Sequence, residues 1–192
     1  MAKLSSDPIT LDFSQAGFSH CPRCGEDGLG FRPPNRYHCS ACDFHFYMNT
    51  AAACGAILTI GSRILLLRRG KEPALGMLDF PGGFIDPGES AEAALVREVQ
   101  EEIRQIPTDL QFLVSFPNRY EYGGVAYPTC DLIFTGRLPR EPKAEDLQTE
   151  EIAGWVLLEV GEVDLESIAF PSLRRGLQVH QNWWKKSSGF ST

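Results

Sequence analysis

Three glutamates, Glu98, Glu101 and Glu102, occupy positions i, i+3 and i+4 of the run Arg97-Glu98-Val99-Gln100-Glu101-Glu102. On a helix this spacing gathers three carboxylates within about one turn. Acids so close repel one another unless a cation holds them, and oxygen donors in this number suit a hard ion such as Mg²⁺ or Mn²⁺. The same run also reads as a solvated helix laced by Arg97–Glu101 and Glu101–Arg104 pairs. A second reactive group is Cys21 and Cys24, followed after fourteen residues by Cys39 and Cys42. Two C-x2-C knuckles place four soft thiolates on tight turns, the donor set of tetrahedral Zn²⁺. Four protein ligands leave no open position, so such a zinc serves architecture and not catalysis. Two disulfides are the competing reading, and the lack of a secretory h-region in the first residues weighs against them. His20 and His38 each precede a cysteine and read as bystanders, while Cys54 and Cys130 sit in apolar runs as buried thiols.

These groups need elements to hold them. Ala91, Ala94, Leu95, Val99 and Ile103 share one broad helical face, and Ser90 is a suitable N-cap, which predicts a helix over 91–104. The breakers Pro81-Gly82-Gly83 and Asp86-Pro87-Gly88 make 81–89 a loop leading into it. Strand patterns occur at 54–60 and 64–67 around Gly61-Ser62, then at 110–116, 125–136 and 153–158. Residues 137–150 read as a surface loop, and a last helix spans about 172–186. Mixed strands with two helices predict an α/β sandwich with a mixed sheet. Between the knuckles only Leu29, Phe31 and Tyr37 are large and apolar, so that segment needs a metal staple to fold. The predicted organisation is an N-terminal arm at 1–18, a zinc ribbon at 19–48 and a main domain at 49–192.

The composition, 43% hydrophobic and 22% charged, is that of an ordinary globular chain, and its 192 residues suit one domain with a small appendage. No apolar stretch approaches the ~20 residues of a membrane-spanning helix. A net charge of −7 argues against nonspecific DNA or RNA binding as the main role. These features predict a cytoplasmic protein with no membrane partner.

Gly83, Glu89, Arg97, Glu98, Glu101 and Glu102 together fix six positions over twenty residues. From this chain's own composition, that pattern has a chance of order 10⁻⁴ or less. It resembles the signature of the Nudix hydrolases. The resemblance implies an α/β/α sandwich, a loop–helix–loop that binds divalent metal, and cleavage of a pyrophosphate linkage in a nucleoside diphosphate joined to another group. It makes Gly82, Glu98, Glu101 and Glu102 metal-site residues, Glu89 a supporting acid and Arg97 the arginine that pairs with the loop. Two or more such ions would neutralise adjacent phosphates and lower the pKa of a bound water. Arg104 and Gln105 replace the glycine and aliphatic that usually follow, which predicts an altered helix exit. An acid outside the helix often completes the site in this family; Glu150 and Glu151 are the candidates, with a plain surface-charge role as the alternative.

A zinc ribbon directly before such a domain is similar to the layout of the NADH pyrophosphatases. Their Ser-Gln-Pro-Trp-Pro-Phe-Pro stretch is only partly present: Ser115 and Pro117 match, whereas Phe116, Asn118 and Tyr120 do not. Phe116, Tyr120 and Tyr122 offer rings for base stacking, Asn118 a hydrogen-bonding edge, and Asp131 a carboxylate facing the site. In the competing reading Tyr120 and Tyr122 alternate in a hairpin with one face in the core. The expected substrates are an NAD(H)-like dinucleotide, ADP-ribose or a nucleotide sugar. A nucleotide-sensing module with a partner-binding ribbon is the alternative. Trp183-Trp184-Lys185-Lys186 reads as a helix end docked by its aromatic side, and exposed tryptophans there are also compatible with a homodimer.

Overall fold

In 56–58 and 64–67 every residue is apolar, the pattern of strands covered on both faces. A computed structural model describes residues 18–123, 125–148 and 150–187; the predicted N-terminal arm lies outside them except for Phe18. By contact the chain divides into two units, one running to Ala51 and including Arg119–Thr129, the other comprising Ala52–Asn118 and Cys130 onward.

The first unit contains β1 (Leu29–Arg32), β2 (Arg36–Cys39) and β3 (His45–Tyr47), joined as an antiparallel sheet in that order. Its core is small: Tyr37 and Met48 are buried, with Leu29, Phe31 and Phe46 packed around them. The poverty of large apolar residues read from the sequence is therefore real.

In the larger sheet, most of whose residues fall in the second unit, β4 (Ala51–Ile60), β5 (Arg63–Arg69), β9 (Val125–Arg137), β8 (Thr108–Tyr122) and β10 (Ile152–Glu159) lie in the order β10-β5-β4-β9-β8. Two short strands, β6 (Leu78–Asp79) and β7 (Gly82–Phe84), attach to β5 and β4. Leu138 N donates to Thr59 O where β9 and β4 end together, so these neighbours run in the same direction while β5 runs against β4. The sheet is mixed.

Alternation along β4 and β5 sends side chains to opposite faces. Cys54, Ala56, Leu58, Leu65 and Leu67 meet α1 (Ala91–Ile103) through Ala94, Leu95, Val99 and Ile103. Ile57, Ile64 and Leu66 meet α2 (Pro171–Ser187) through Leu173 and Leu177. The result is the predicted α/β/α sandwich. Trp184 packs on the second core, whereas Trp183 is largely exposed with its ring centroid 6.1 Å from that of His180. Among the described residues no helix is long and apolar enough to cross a membrane.

Several predicted boundaries shift. β8 runs to Tyr122 instead of ending near 116, and Pro117 is tolerated because β8 is an edge strand. The surface loop at 137–150 contains a short 3-10 turn at Ala144–Asp146, whose Asp146 is buried and held by Arg140 and the Lys143 N–H. The exit of α1 is left-handed: Arg104 has φ 51° and ψ 38°, and its N–H reaches Gln100 O. Here an arginine accepts the backbone geometry that glycine adopts freely. Gln105 is buried next to it, with neither amide atom hydrogen-bonded.

Candidate active site

Ser90 caps α1 by accepting from Ala93 N, which fixes where the helix begins and hence which residues face the loop. Val99 and Ile103 go into the core, and that rotation sets Glu98 and Glu102 at its edge. Glu102 is only 9% exposed, and its carboxylate accepts from Gly82 N at 3.0 Å. Gly82 has φ +145°, and a Cβ there would lie 2.1 Å from Cys54 O, so only glycine passes the chain this close. At Gly83 a Cβ would come within 2.5 Å of the Glu98 carboxylate. The two glycines form a cradle against which both acids rest.

Arg97 ties the loop to the helix. Its guanidinium meets both oxygens of Glu89 at 2.9 and 3.0 Å, Glu98 at 2.9 Å, Glu101 at 3.2 Å and the Phe84 carbonyl at 3.1 Å. Glu89 in turn accepts from Asp86 N at 3.1 Å. The arginine holds Glu89 below the usual carboxylate range, and its own protonation is reinforced by Glu89 and Glu98.

The other two acids shift in the opposite direction. Burial pushes Glu102 well above the ordinary value, and the charges of Asp79, Glu98 and Glu151 push it further. Glu98 is raised mainly by burial, against the pull of Arg97. Asp79, largely buried on β6, rises to about 6 through burial although Arg69 Nη1 lies 2.6 Å away. Glu151 is paired with Lys71, and its backbone N–H donates to Gln148. Negative charge is thus concentrated beyond what the local cations neutralise.

The structure brings Glu89, Arg97, Glu98, Glu101, Glu102 and Gly82 together and sets Glu151 within electrostatic reach. Sequence reasoning missed Asp79 and Lys71. Asp79 lies three residues before the glycine pair, and its charged side chain between Leu78 and Phe80 was the available signal.

The expected base-stacking role of Phe116 does not hold. It is 4% exposed in the second core, and the Arg175 guanidinium covers its ring at 4.2 Å. Asn118 and Asp131 are also buried; Asp131 accepts a hydrogen bond from Ser172 at the start of α2, and its charge acts on the Asp79 carboxyl. Tyr120 and Tyr122 belong to the first unit, with Tyr122 exposed.

In that first unit Cys21, Cys24, Cys39 and Cys42 bring their sulfurs within 4.8 Å of one another, and none is in a disulfide. Sγ of Cys21 lies 3.8 Å from that of Cys42, and Sγ of Cys24 lies 3.7 Å from that of Cys39. Cys21 is brought to about 7 against the effect of burial, by the N–H groups of Cys24 and Arg23 and by neighbouring thiols. Burial and those same neighbours push Cys42 up to about 12. Four crowded thiols cannot all ionise alone, and a soft cation would resolve the conflict.

The NUDIX domain model matches residues 48–177. The chain belongs to the Nudix family. Among its Nudix relatives, the NAD-capped RNA hydrolase NudC of Pseudomonas putida (strain W619) is 35% identical over 95 residues, covering 50% of this chain and 34% of that protein. The ADP-ribose pyrophosphatase of Methanocaldococcus jannaschii is 37% identical over 84 residues, covering 43% of this chain and 50% of that protein. The matches therefore span a third to half of these relatives' lengths. A Nudix hydrolase from Nitrosomonas europaea shares the fold, with TM-score 0.62 and 22% identity over 89% of this chain and 93% of that one. A solved complex of ADP ribose with the Nudix domain of Shewanella oneidensis NrtR also aligns, with TM-score 0.54 and 20% identity over 72% and 90% of the two chains.

Proposed function

We propose that this Nudix chain is a divalent-metal-dependent hydrolase that splits the pyrophosphate linkage of a nucleoside diphosphate joined to a second group. The observation that carries the reading is Glu102: a buried carboxylate that, among the described residues, pairs with no cation, beside Glu98, Asp79 and Glu151. Nudix hydrolases use divalent metals, and a site of this charge and oxygen-rich composition fits Mg²⁺ or Mn²⁺. Glu98, Glu101 and Glu102 would hold the metal, with Gly82 keeping Glu102 in place. When bound, such an ion supplies charge neutralisation for the phosphates and makes water a stronger nucleophile. Arg97 orients Glu98 and Glu101 while Glu89 fixes Arg97, so the acids reach the site with their rotamers already chosen. Glu151 is proposed as the acid outside the helix, with Lys71 setting its position. The four cysteines are proposed to hold one structural Zn²⁺.

For substrate, the named relatives favour an ADP-ribose-like or NAD-like nucleotide, and the broken Ser-Phe-Pro-Asn stretch argues against recognition identical to that of the NADH pyrophosphatases. Turnover of NADH, ADP-ribose, nucleotide sugars and dinucleoside polyphosphates with Mg²⁺ or Mn²⁺ tests the reading. Cleavage of at least one, abolished by Glu102→Gln, supports it. Tight nucleotide binding with no cleavage would replace it with the sensing role.

A further inference from the structure

The turn between β2 and β3 does more than present Cys39 and Cys42. His38 and His45 are direct cross-strand partners in the antiparallel register, and their rings stack at 4.7 Å with an 18° interplanar angle. Both Nε2 atoms are aimed at one oxygen of Asp43: His38 Nε2 at 2.8 Å and His45 Nε2 at 3.6 Å. All three donor atoms fall within 4.8 Å of one another. A single hydrogen bond satisfies His38, whereas 3.6 Å is too long for His45 to share it. Two imidazoles and a carboxylate converging on one point are a donor set for a borderline divalent ion. Asp43 is positioned by its neighbours: its φ is +55°, its N–H bonds Cys39 O at 3.0 Å, and Cys39 N bonds Phe44 O at 2.9 Å. The knuckle that aims Cys39 and Cys42 at one centre therefore also aims Asp43 at another.

We propose that His38, Asp43 and His45 form a second metal site on the ribbon, selective for a borderline transition ion of the Zn²⁺ or Ni²⁺ class and distinct from the four-cysteine centre. Metal–nitrogen distances of about 2.0–2.1 Å require both Nε2 atoms to move closer to a shared centre, an adjustment left to the half-buried His38 ring and the exposed His45 ring. Three protein ligands leave at least one position for water or an added ligand. Magnesium does not compete, because it prefers all-oxygen sites.

The test uses the full chain loaded with one equivalent of zinc and held in excess Mg²⁺ to occupy the acidic helix. Ni²⁺ is then titrated by calorimetry. One further equivalent is expected, weakened about tenfold or more in each of His38→Gln, Asp43→Asn and His45→Gln and unchanged in His20→Gln. Each variant must retain its zinc. If a variant does not, NMR of the unsubstituted protein decides: paramagnetic Ni²⁺ is expected to broaden the ring signals of His38 and His45 before those of His20 and His180. No further equivalent, undiminished affinity in zinc-loaded variants, or broadening that starts at His20 overturns the proposal.

Discussion

Glu102 joins an ionisable oxygen to a site that water barely reaches, and this sets what its replacement should do. Glu102→Gln keeps an acceptor for Gly82 N while removing the charge. Turnover is expected to fall by about a hundredfold or more, with thermal stability unchanged or improved, as read by kinetics beside a melting curve. Its pKa direction has a second consequence. A carboxylate raised in the fold keeps its proton to higher pH, so metal must displace that proton at low pH and need not at high pH. Mg²⁺ or Mn²⁺ should therefore raise the melting temperature more at pH 8.5 than at pH 6; an equal shift at both would sink the argument. Gly83→Ala is the complementary case. The three atoms nearest the added methyl all belong to the Glu98 carboxylate that Arg97 holds, so activity should drop sharply, with a stability loss no larger than that of breaking the Arg97–Glu98 contact. At this scale the sequence was informative where spacing alone defines geometry, as for the helix acids and the cysteines. It misleads at Phe116, because an aromatic residue in a strand does not announce which face will be covered. The covering group, the Arg175 guanidinium, comes from α2, more than fifty residues downstream.

At the level of elements, α1 is legible almost to the residue, since Ser90 and the apolar stripe fix start and rotation, whereas the expected loop at 81–89 conceals β7, a short strand that its glycines disguise. What spacing could not tell is that Arg104 would itself take the left-handed conformation at the helix end. The exit therefore carries strain, and Arg104→Gly should stabilise the fold by about 0.5–1 kcal/mol, with Gln105→Leu adding roughly 1 kcal/mol by removing two buried amide atoms that lack partners. Denaturant melts of the two single variants and the double would measure this; destabilisation by either substitution would refute the assignment. On the opposite face, α2 approaches the sheet at Gly176, where a Cβ would sit 2.2 Å from Ile133 Cδ1 and 3.3 Å from its Cγ2. Ile133 is fully buried and has nowhere to move, so Gly176→Ala is expected to cost about 1–3 kcal/mol. The strand pattern at 110–116 stops short of Tyr122, where β8 ends as the hairpin reading of Tyr120 and Tyr122 expects, and edge placement is a property of the sheet that local sequence does not encode.

For the molecule as a whole, the sandwich was predictable from the doubly apolar strands and two amphipathic helices, whereas the assignment of Arg119–Thr129 to the ribbon's unit was not. That segment lies some eighty residues beyond the cysteines, and no local pattern links them. Stability against acid should respond to His180 on α2. It is buried, and burial holds its pKa below the ordinary 6.5. A depressed histidine favours the unfolded chain once that chain can protonate, so stability should fall as pH drops below about 6.5, and His180→Gln should flatten that slope in melts between pH 5 and 8. Once weakly held metal is stripped with a mild chelator, elemental measurement should find about one zinc per chain, and that tightly held zinc should be lost in Cys39→Ser, if the four thiols form the structural centre. Finally, consider Arg97 in terms of motion. One guanidinium bonds to two side chains of α1 besides its own, to Glu89 and to the Phe84 carbonyl, so the loop cannot lift from the helix one contact at a time. Opening must be collective: amide protons from 82 to 102 should exchange with solvent as a single slow cohort, and Arg97→Ala should split that cohort into a fast loop and a slower helix.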